Sequence, residues 1–273
     1  MIELEGRHVR PFVHGGKMRQ PRQPAPRNGT GGFTLLELAI VLAVLGLLLG
    51  GGSLLLQPML DNNRRNETRA RLKGIEDALT VFAAQNFDLP CPSNPALGPS
   101  ATGNGAEGAS CSSVMAFGGV PWRALGLSEA DVLDGWGRRI SYAVTSSLAV
   151  TAGGPLNCPS TGFAAITQGR LENRGANDAA IPPPGAAPGP AKAAYILISH
   201  GENGSGAFLP SGQRLPDGPA SATEVANRKT AGSGTDTIFY YEKRTADTDV
   251  GFDDIVRSRT SGQIAIAYGC LKP

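Results

Sequence analysis

The residue whose chemistry stands out first is Glu37, a carboxylate inside an otherwise apolar run. From Phe33 to Leu56 the chain has twenty-four residues, and only Glu37 among them carries an ionisable side chain. An ion at membrane depth costs on the order of 2–3 kcal/mol even on lenient insertion scales. The sequence therefore predicts that Glu37 either extends its carboxylate to the lipid headgroups or finds a positively charged partner.

The apolar run predicts a helix that crosses a membrane. At about 1.5 Å per residue, twenty-four residues of helix cover roughly 36 Å, and a hydrocarbon core is about 30 Å thick. We expect residues 33–57 to form this transmembrane and assembly segment.

The residues before the run form a basic leader, residues 1–32, which contains six Lys or Arg side chains against two Glu side chains. The whole chain has a net charge of +2, but without the leader 19 basic and 21 acidic residues remain. The basic excess thus belongs to the leader and places that end in the cytoplasm by the positive-inside rule. The composition gives no reason to expect nucleic-acid binding by the rest of the chain.

The junction of leader and run reads Gly31-Gly32-Phe33-Thr34-Leu35-Leu36-Glu37. It resembles the class III signal of type IV prepilins and type II secretion pseudopilins. The resemblance implies that a prepilin peptidase cuts after Gly32, that Phe33 becomes the N-methylated first residue, and that Glu37 acts in assembly. It also implies a pilin-like fold and partners that are other pilin or pseudopilin subunits.

Cleavage at this position would supply the missing counter-ion. It leaves an α-amine on Phe33, four residues before the Glu37 carboxylate. In a staggered stack of parallel helices, the amine of one subunit can neutralise the carboxylate of the next, where an unpaired ion is penalised. We therefore expect Glu37 to set the assembly register.

A secretory signal peptide is the competing interpretation of a basic start and an apolar core. Such a core is usually about 7–15 residues long and is followed by a small-residue cleavage site. Here the run is longer, and the cleavage-like glycine precedes it. Met18 offers an internal start with a shorter leader, and the sequence does not decide between Met1 and Met18.

The remainder, residues 58–273, predicts a globular head of α+β class. Apolar residues at helical spacing, Leu72, Ile75, Leu79 and Phe82, predict that the N-terminal helix continues to about residue 87 and packs on a sheet. Alternating or apolar runs predict an antiparallel sheet of about four strands, near residues 140–144, 194–199, 237–241 and 263–268.

Four cysteines follow the run: Cys91, Cys111, Cys158 and Cys270. In an oxidising compartment an even set of cysteines favours disulfides over free thiols. Four cysteines allow three pairings, and the sequence does not select one, although short loops favour Cys91–Cys111 with Cys158–Cys270.

An acidic stretch near the end, Asp247, Asp249, Asp253 and Asp254, offers several oxygen ligands in one loop and could bind calcium. A solvated acidic turn is the alternative. The stretch is also similar to a loop of calcium-binding major pseudopilins. The sequence predicts no other cofactor.

Catalysis has little support, because His200 is the only histidine after the leader and no nucleophile motif adjoins it. We therefore expect a structural, minor subunit of a type IV pilus or a type II secretion pseudopilus, and no enzyme. It would cross the bacterial inner membrane once, with the leader cytoplasmic and the head periplasmic, before entering a pilus. A pilin-like adhesin or a DNA-uptake subunit is the alternative function.

Overall fold

The computed structural model describes residues 32–109, 111–149, 154–157, 168–181, 192–218, 221–241 and 251–269, without the side chains of residues 48–58. The leader up to residue 31 lies outside the described residues, as do Cys158, Asp247, Asp249 and Cys270. The chain divides into two compact units, Met1–Gly52 and Ser53–Pro273.

Helix α1 runs from Leu35 to Asn86, so its end agrees with the prediction of a helix to about residue 87. Phe87, in the left-handed region at φ 57°, stops it. Among the described residues, no helix combines the length and the apolar character that crossing a membrane requires.

The second unit contains a five-stranded antiparallel sheet with the order β5-β1-β2-β4-β7. A separate pair of parallel strands, β3 and β6, forms a small second sheet. The strands are β1 Met115–Gly119, β2 Ser141–Thr145, β3 Glu172–Arg174, β4 Tyr195–Ser199, β5 Gly232–Gly234, β6 Ile238–Tyr240 and β7 Ile255–Arg259. Two short α-helices, α2 Ala222–Asn227 and α3 Ser261–Ala267, and two 3₁₀ helices, Glu129–Val132 and Ser146–Leu148, complete the described elements.

The large sheet is buried on both faces, because successive apolar side chains of its central strands point to opposite faces. One face packs against α1, and the other packs against the small sheet. The first core contains the predicted helix residues Leu72, Ile75 and Leu79, each at most 1% exposed. An α+β fold with α1 packed on an antiparallel sheet is thus confirmed, although the sheet has five strands rather than four.

The prediction of a last strand at residues 263–268 is wrong, because this segment lies in and just after α3. Thr260 caps the helix: its side chain accepts a hydrogen bond from Gln263 N, and the Gln263 side chain accepts one from Thr260 N. The apparent alternation instead places Ile264 inside and leaves Ile266 61% exposed. The last strand of the sheet is β7, Ile255–Arg259, which directly follows the acidic stretch.

Strand β6 also differs from expectation, since it pairs in parallel with β3 and does not enter the large sheet. Its Phe239 packs at 6.4 Å, between ring centroids, from Phe117 of β1. The strand therefore serves the second core as a covering layer.

Two local features attach loops to this frame. Gly135 N donates to Thr68 Oγ1 of α1 at 2.9 Å, and a Cβ at Gly135 would lie 2.2 Å from Arg64 O. Cys91 and Cys111 form a disulfide with an S–S distance of 2.08 Å.

Candidate functional site

The N-terminus of α1 is built by Thr34, which precedes the first helical residue. Its hydroxyl oxygen accepts a hydrogen bond from Glu37 N at 3.2 Å, and its carbonyl oxygen accepts one from Leu38 N at 3.1 Å. Thr34 thus caps the helix. Glu37 lies in the first turn, where a negative charge interacts favourably with the helix dipole.

The Gly32–Phe33 peptide bond is accessible. The Phe33 side chain is 84% exposed, and a Cβ placed on Gly32 would meet no atom within 4 Å. Packing within the described chain therefore does not require glycine at position 32.

The first three turns of α1 expose their apolar side chains. Every Leu, Ile and Val from Leu35 to Leu47 is at least 47% exposed, and Leu35 reaches 88%. A contiguous apolar surface of this kind marks contact with lipid or with another protein.

A second group of functional side chains, the buried polar cluster, surrounds the end of β4. It comprises Asp134, Ser141, His200, Glu224, Asp253 and Asp254.

His200 is 2% exposed, and its Nε2 lies 3.0 Å from Ser141 Oγ. Its Nδ1 has no hydrogen-bond partner and lies 3.8 Å from Asp254 Oδ1. Burial, followed by the charge of Arg228, lowers the pKa of His200 to about 3, so the ring is neutral at physiological pH.

Three carboxylates of the cluster crowd together. One oxygen from each of Glu224, Asp253 and Asp254 lies within 4.8 Å of the others. Burial raises the pKa of Asp253 to about 6 and raises the pKa of Asp254 well above its usual range. Asp253 Oδ1 is buried without a hydrogen-bond partner.

Neighbouring groups satisfy part of this charge. Asn203 donates from its backbone N to Asp253 Oδ2 at 2.7 Å and from Nδ2 to Glu224 Oε1 at 2.6 Å. Asn227 Nδ2 donates to Asp254 Oδ2 at 2.9 Å, and the Arg228 guanidinium lies 3.4 Å from Glu224 Oε2. This is one guanidinium beside three carboxylates, so the cluster attracts protons or a cation.

Comparison with known protein families matches residues 27–53 to the prokaryotic N-terminal methylation motif. The matched range contains Gly32, Phe33 and Glu37. The chain carries the methylation signal of type IV pilins and pseudopilins. No curated protein and no solved structure matches the chain.

The methylation motif agrees with the resemblance drawn from the sequence. It supports a pilin-like or pseudopilin-like protein. It implies processing by prepilin peptidase, assembly with other pilin subunits and membrane-associated export. Proteins with this motif have structural rather than catalytic roles.

The buried polar cluster does not offer a hydrolytic site, although Ser141, His200 and Asp254 lie close to one another in space. Ser141 is 5% exposed, so a substrate carbonyl does not reach its oxygen. The 3.8 Å between His200 and Asp254 exceeds a hydrogen bond. Sequence reasoning did not identify Ser141, because it lies 59 residues from His200.

Of the predicted calcium ligands, the structure places Asp253 and Asp254 together. The third member, Glu224, was not predicted, because it lies in a Gly-, Pro- and Ser-rich stretch that is distant in sequence from Asp253. A usable signal was the pair Ser221 and Glu224, since Ser221 Oγ accepts a hydrogen bond from Glu224 N at 3.3 Å and starts α2.

Proposed function

We propose that the protein is a minor structural subunit of a type IV pilus or a type II secretion pseudopilus. The observation that carries this proposal is the methylation motif at residues 27–53. The accessible Gly32–Phe33 bond and the exposed apolar side chains that follow it agree with a cleavage site ahead of an assembly helix. The size of the head, residues 58–273, favours a minor subunit.

The proposed membrane orientation follows from the distribution of charge, and processing and assembly come after it. The basic leader stays in the cytoplasm, residues 33–57 lie in the inner membrane, and the head is periplasmic. Prepilin peptidase removes residues 1–32, and Phe33 is methylated. The Phe33 amine of one subunit then pairs with Glu37 of its neighbour, which replaces two isolated ions in lipid by one neutral pair.

Intact mass spectrometry of the membrane-bound protein tests this proposal. The expected mass is that of a chain starting at Phe33 with one added methyl group. In cells without prepilin peptidase, the mass should be that of the unmethylated precursor. A membrane-bound, functional protein that retains the leader in normal cells would contradict the proposal.

A second proposal concerns the carboxylates of the buried polar cluster, which we propose bind calcium. The donor set fits a hard cation, since Glu224, Asp253 and Asp254 supply oxygens and Asp253 Oδ1 lacks a partner. Such a cation would stabilise the head, because it binds the folded chain and not the unfolded one.

Thermal unfolding of the full chain in detergent micelles tests calcium binding. At a calcium concentration of about 100 times Kd we expect a stabilisation of about 2.7 kcal/mol that a chelator reverses. Glu224→Gln should lose the calcium response, whereas Asp77→Asn, a change at an exposed acid of α1 outside the cluster, should keep it. An identical Tm with calcium and with chelator would refute the site.

A further inference from the structure

A groove of about 360 Å³ lies between the C-terminal half of α1 and strand β7. Its walls come from α1, from β7 and from Tyr241, which directly follows β6. We call it the β7 groove, and its lining residues are Arg69, Glu76, Tyr241 and Ile255–Arg259.

The β7 groove is positively charged. Glu76 is 3% exposed and lies 3.0 Å from Arg257 Nε and 3.2 Å from Arg259 Nε. A single carboxylate thus faces two guanidinium groups. Arg69 adds a third, and its hydrogen bond at 3.2 Å goes to the neutral Asn66. Burial raises the pKa of Tyr241 to about 12, so the phenol contributes no negative charge.

The two strand arginines can still bind an anion. The side chains of Arg257 and Arg259 are 34% and 33% exposed, so neither guanidinium is enclosed by the protein. Each guanidinium has five N–H donors, and Glu76 occupies only part of them. Carboxylates and phosphates are the anions that this planar group matches in geometry.

Strand β7 is also an edge of the large sheet. It pairs with β4 on one side, and no described strand pairs with its other side. Along β7, the side chains of Arg257 and Arg259 point toward α1, while Val256 packs into the second core. An extended peptide added to this edge would place every second side chain next to the arginines.

The positive charge along the β7 edge favours an acidic binding partner. A second copy of β7 would bring the same arginines into contact, and like charges across a strand pair are destabilising. Nucleic acid needs many phosphate contacts for affinity, whereas this groove offers three guanidinium groups around a buried carboxylate. An acidic extended peptide satisfies both the free strand edge and the positive charge.

We propose that the β7 groove binds an extended acidic segment of a neighbouring subunit. The segment pairs with β7 and presents carboxylates at alternate positions to Arg257, Arg259 and Arg69. The identity of the partner as a neighbouring subunit rests on the proposed function, but the binding of an acidic strand does not.

The test uses the full chain in detergent micelles and fluorescence anisotropy of short labelled peptides. The first peptide has glutamate at alternate positions, and the second has glutamine in their place. We expect the glutamate peptide to bind roughly tenfold more tightly, and this difference should shrink as salt is raised. Equal affinity of the two peptides would overturn the proposal.

Variants locate the binding. Arg69→Gln, at an exposed position, should weaken binding of the glutamate peptide several-fold, and Arg257→Gln should do the same. Arg170→Gln, which changes an exposed arginine that does not line the groove, is the matched control and should bind as the wild type does. Equal weakening by Arg69→Gln and Arg170→Gln would show a non-specific charge effect and refute the site.

Backbone methylation tests strand pairing. Two glutamate peptides, N-methylated at alternate positions in opposite registers, should differ, because only one register faces β7. Equal binding by both would exclude strand addition. Tighter binding of an oligonucleotide than of the glutamate peptide would reassign the groove to nucleic acid. None of these measurements depends on leader cleavage, so the intact-mass test of the proposed function can succeed or fail separately.

Discussion

Single residues in this protein show how burial changes the ionisation of a carboxyl group. Asp88 follows α1 and is half-buried, and its Oδ1 has no hydrogen-bond partner. Burial, with a smaller contribution from the charge of Glu107, raises its pKa from 3.8 to about 6. At neutral pH the folded chain must therefore hold this carboxylate ionised in an unfavourable position.

The consequence for stability has a definite sign. Because the pKa of Asp88 is higher in the folded chain, the folded state binds its proton more tightly than the unfolded state does. The contribution of Asp88 to the free energy of unfolding should therefore fall as pH rises from about 4 to about 6, and level off above that. Asp88→Asn removes the ionisation, so its advantage over the wild type should grow over this range to about 1 kcal/mol, a figure reduced for solvent screening.

Thermal unfolding of both proteins at a series of pH values measures this difference. Asp77→Asn is the control, since the Asp77 side chain is 65% exposed and its substitution should not produce the same pH-dependent gain. A constant difference between Asp88→Asn and the wild type across the range would show that the ionised form is not penalised.

At the scale of elements, the periodicity of the sequence predicted the long helix and the central strands that pack against each other. The apolar stripe of α1 and the runs of β2 and β4 were found, because helices and central strands bury residues at fixed spacing. Strand β1 was missed because Met115–Gly119 ends in two glycines and has no alternation. Its place between β2 and β5 is set by pairing with distant strands.

The prediction failed at the C-terminus for a different physical reason: α3 was predicted to be a strand, and strand β7 was not predicted. The segment from Gln263 to Tyr268 alternates, but a capping box with Thr260 and Gln263 starts a helix before it. Strand β7 contains two arginines, Arg257 and Arg259. Their charges are tolerated on the face toward α1 because both pair with Glu76, which is far away in sequence. Local pattern alone does not reveal such a partner.

The candidate sites divide in the same way. Gly32, Phe33 and Glu37 lie within six residues of one another, so their motif could be recognised from the sequence without knowledge of the fold. The buried polar cluster brings together Ser141 of β2, His200 directly after β4, and Glu224 of α2. A cluster of that kind depends on tertiary packing, and only Asp253 and Asp254 could be proposed in advance.

At the scale of the whole molecule, we expect folding and assembly to depend on different residues. The head has its own two cores, both formed by residues after Thr68. Glu37 is exposed, and the hydrogen bond to Thr34 in its turn comes from the backbone N rather than the carboxylate. The charge of Glu37 is therefore not needed for the fold, and we expect its role to appear only when subunits meet.

Glu37→Gln should separate the two processes. The variant keeps the size and the backbone hydrogen bond of Glu37 but cannot neutralise the Phe33 amine of a neighbour, so that amine would remain unpaired in lipid. The loss of its interaction with the helix dipole costs only about 0.3–1 kcal/mol. We expect normal leader cleavage and a Tm close to that of the wild type, but strongly reduced incorporation into sheared filaments. Glu67→Gln, a matched change at an exposed acid of α1, should assemble normally. Wild-type amounts of Glu37→Gln in the filament fraction would show that the carboxylate does not set the assembly register.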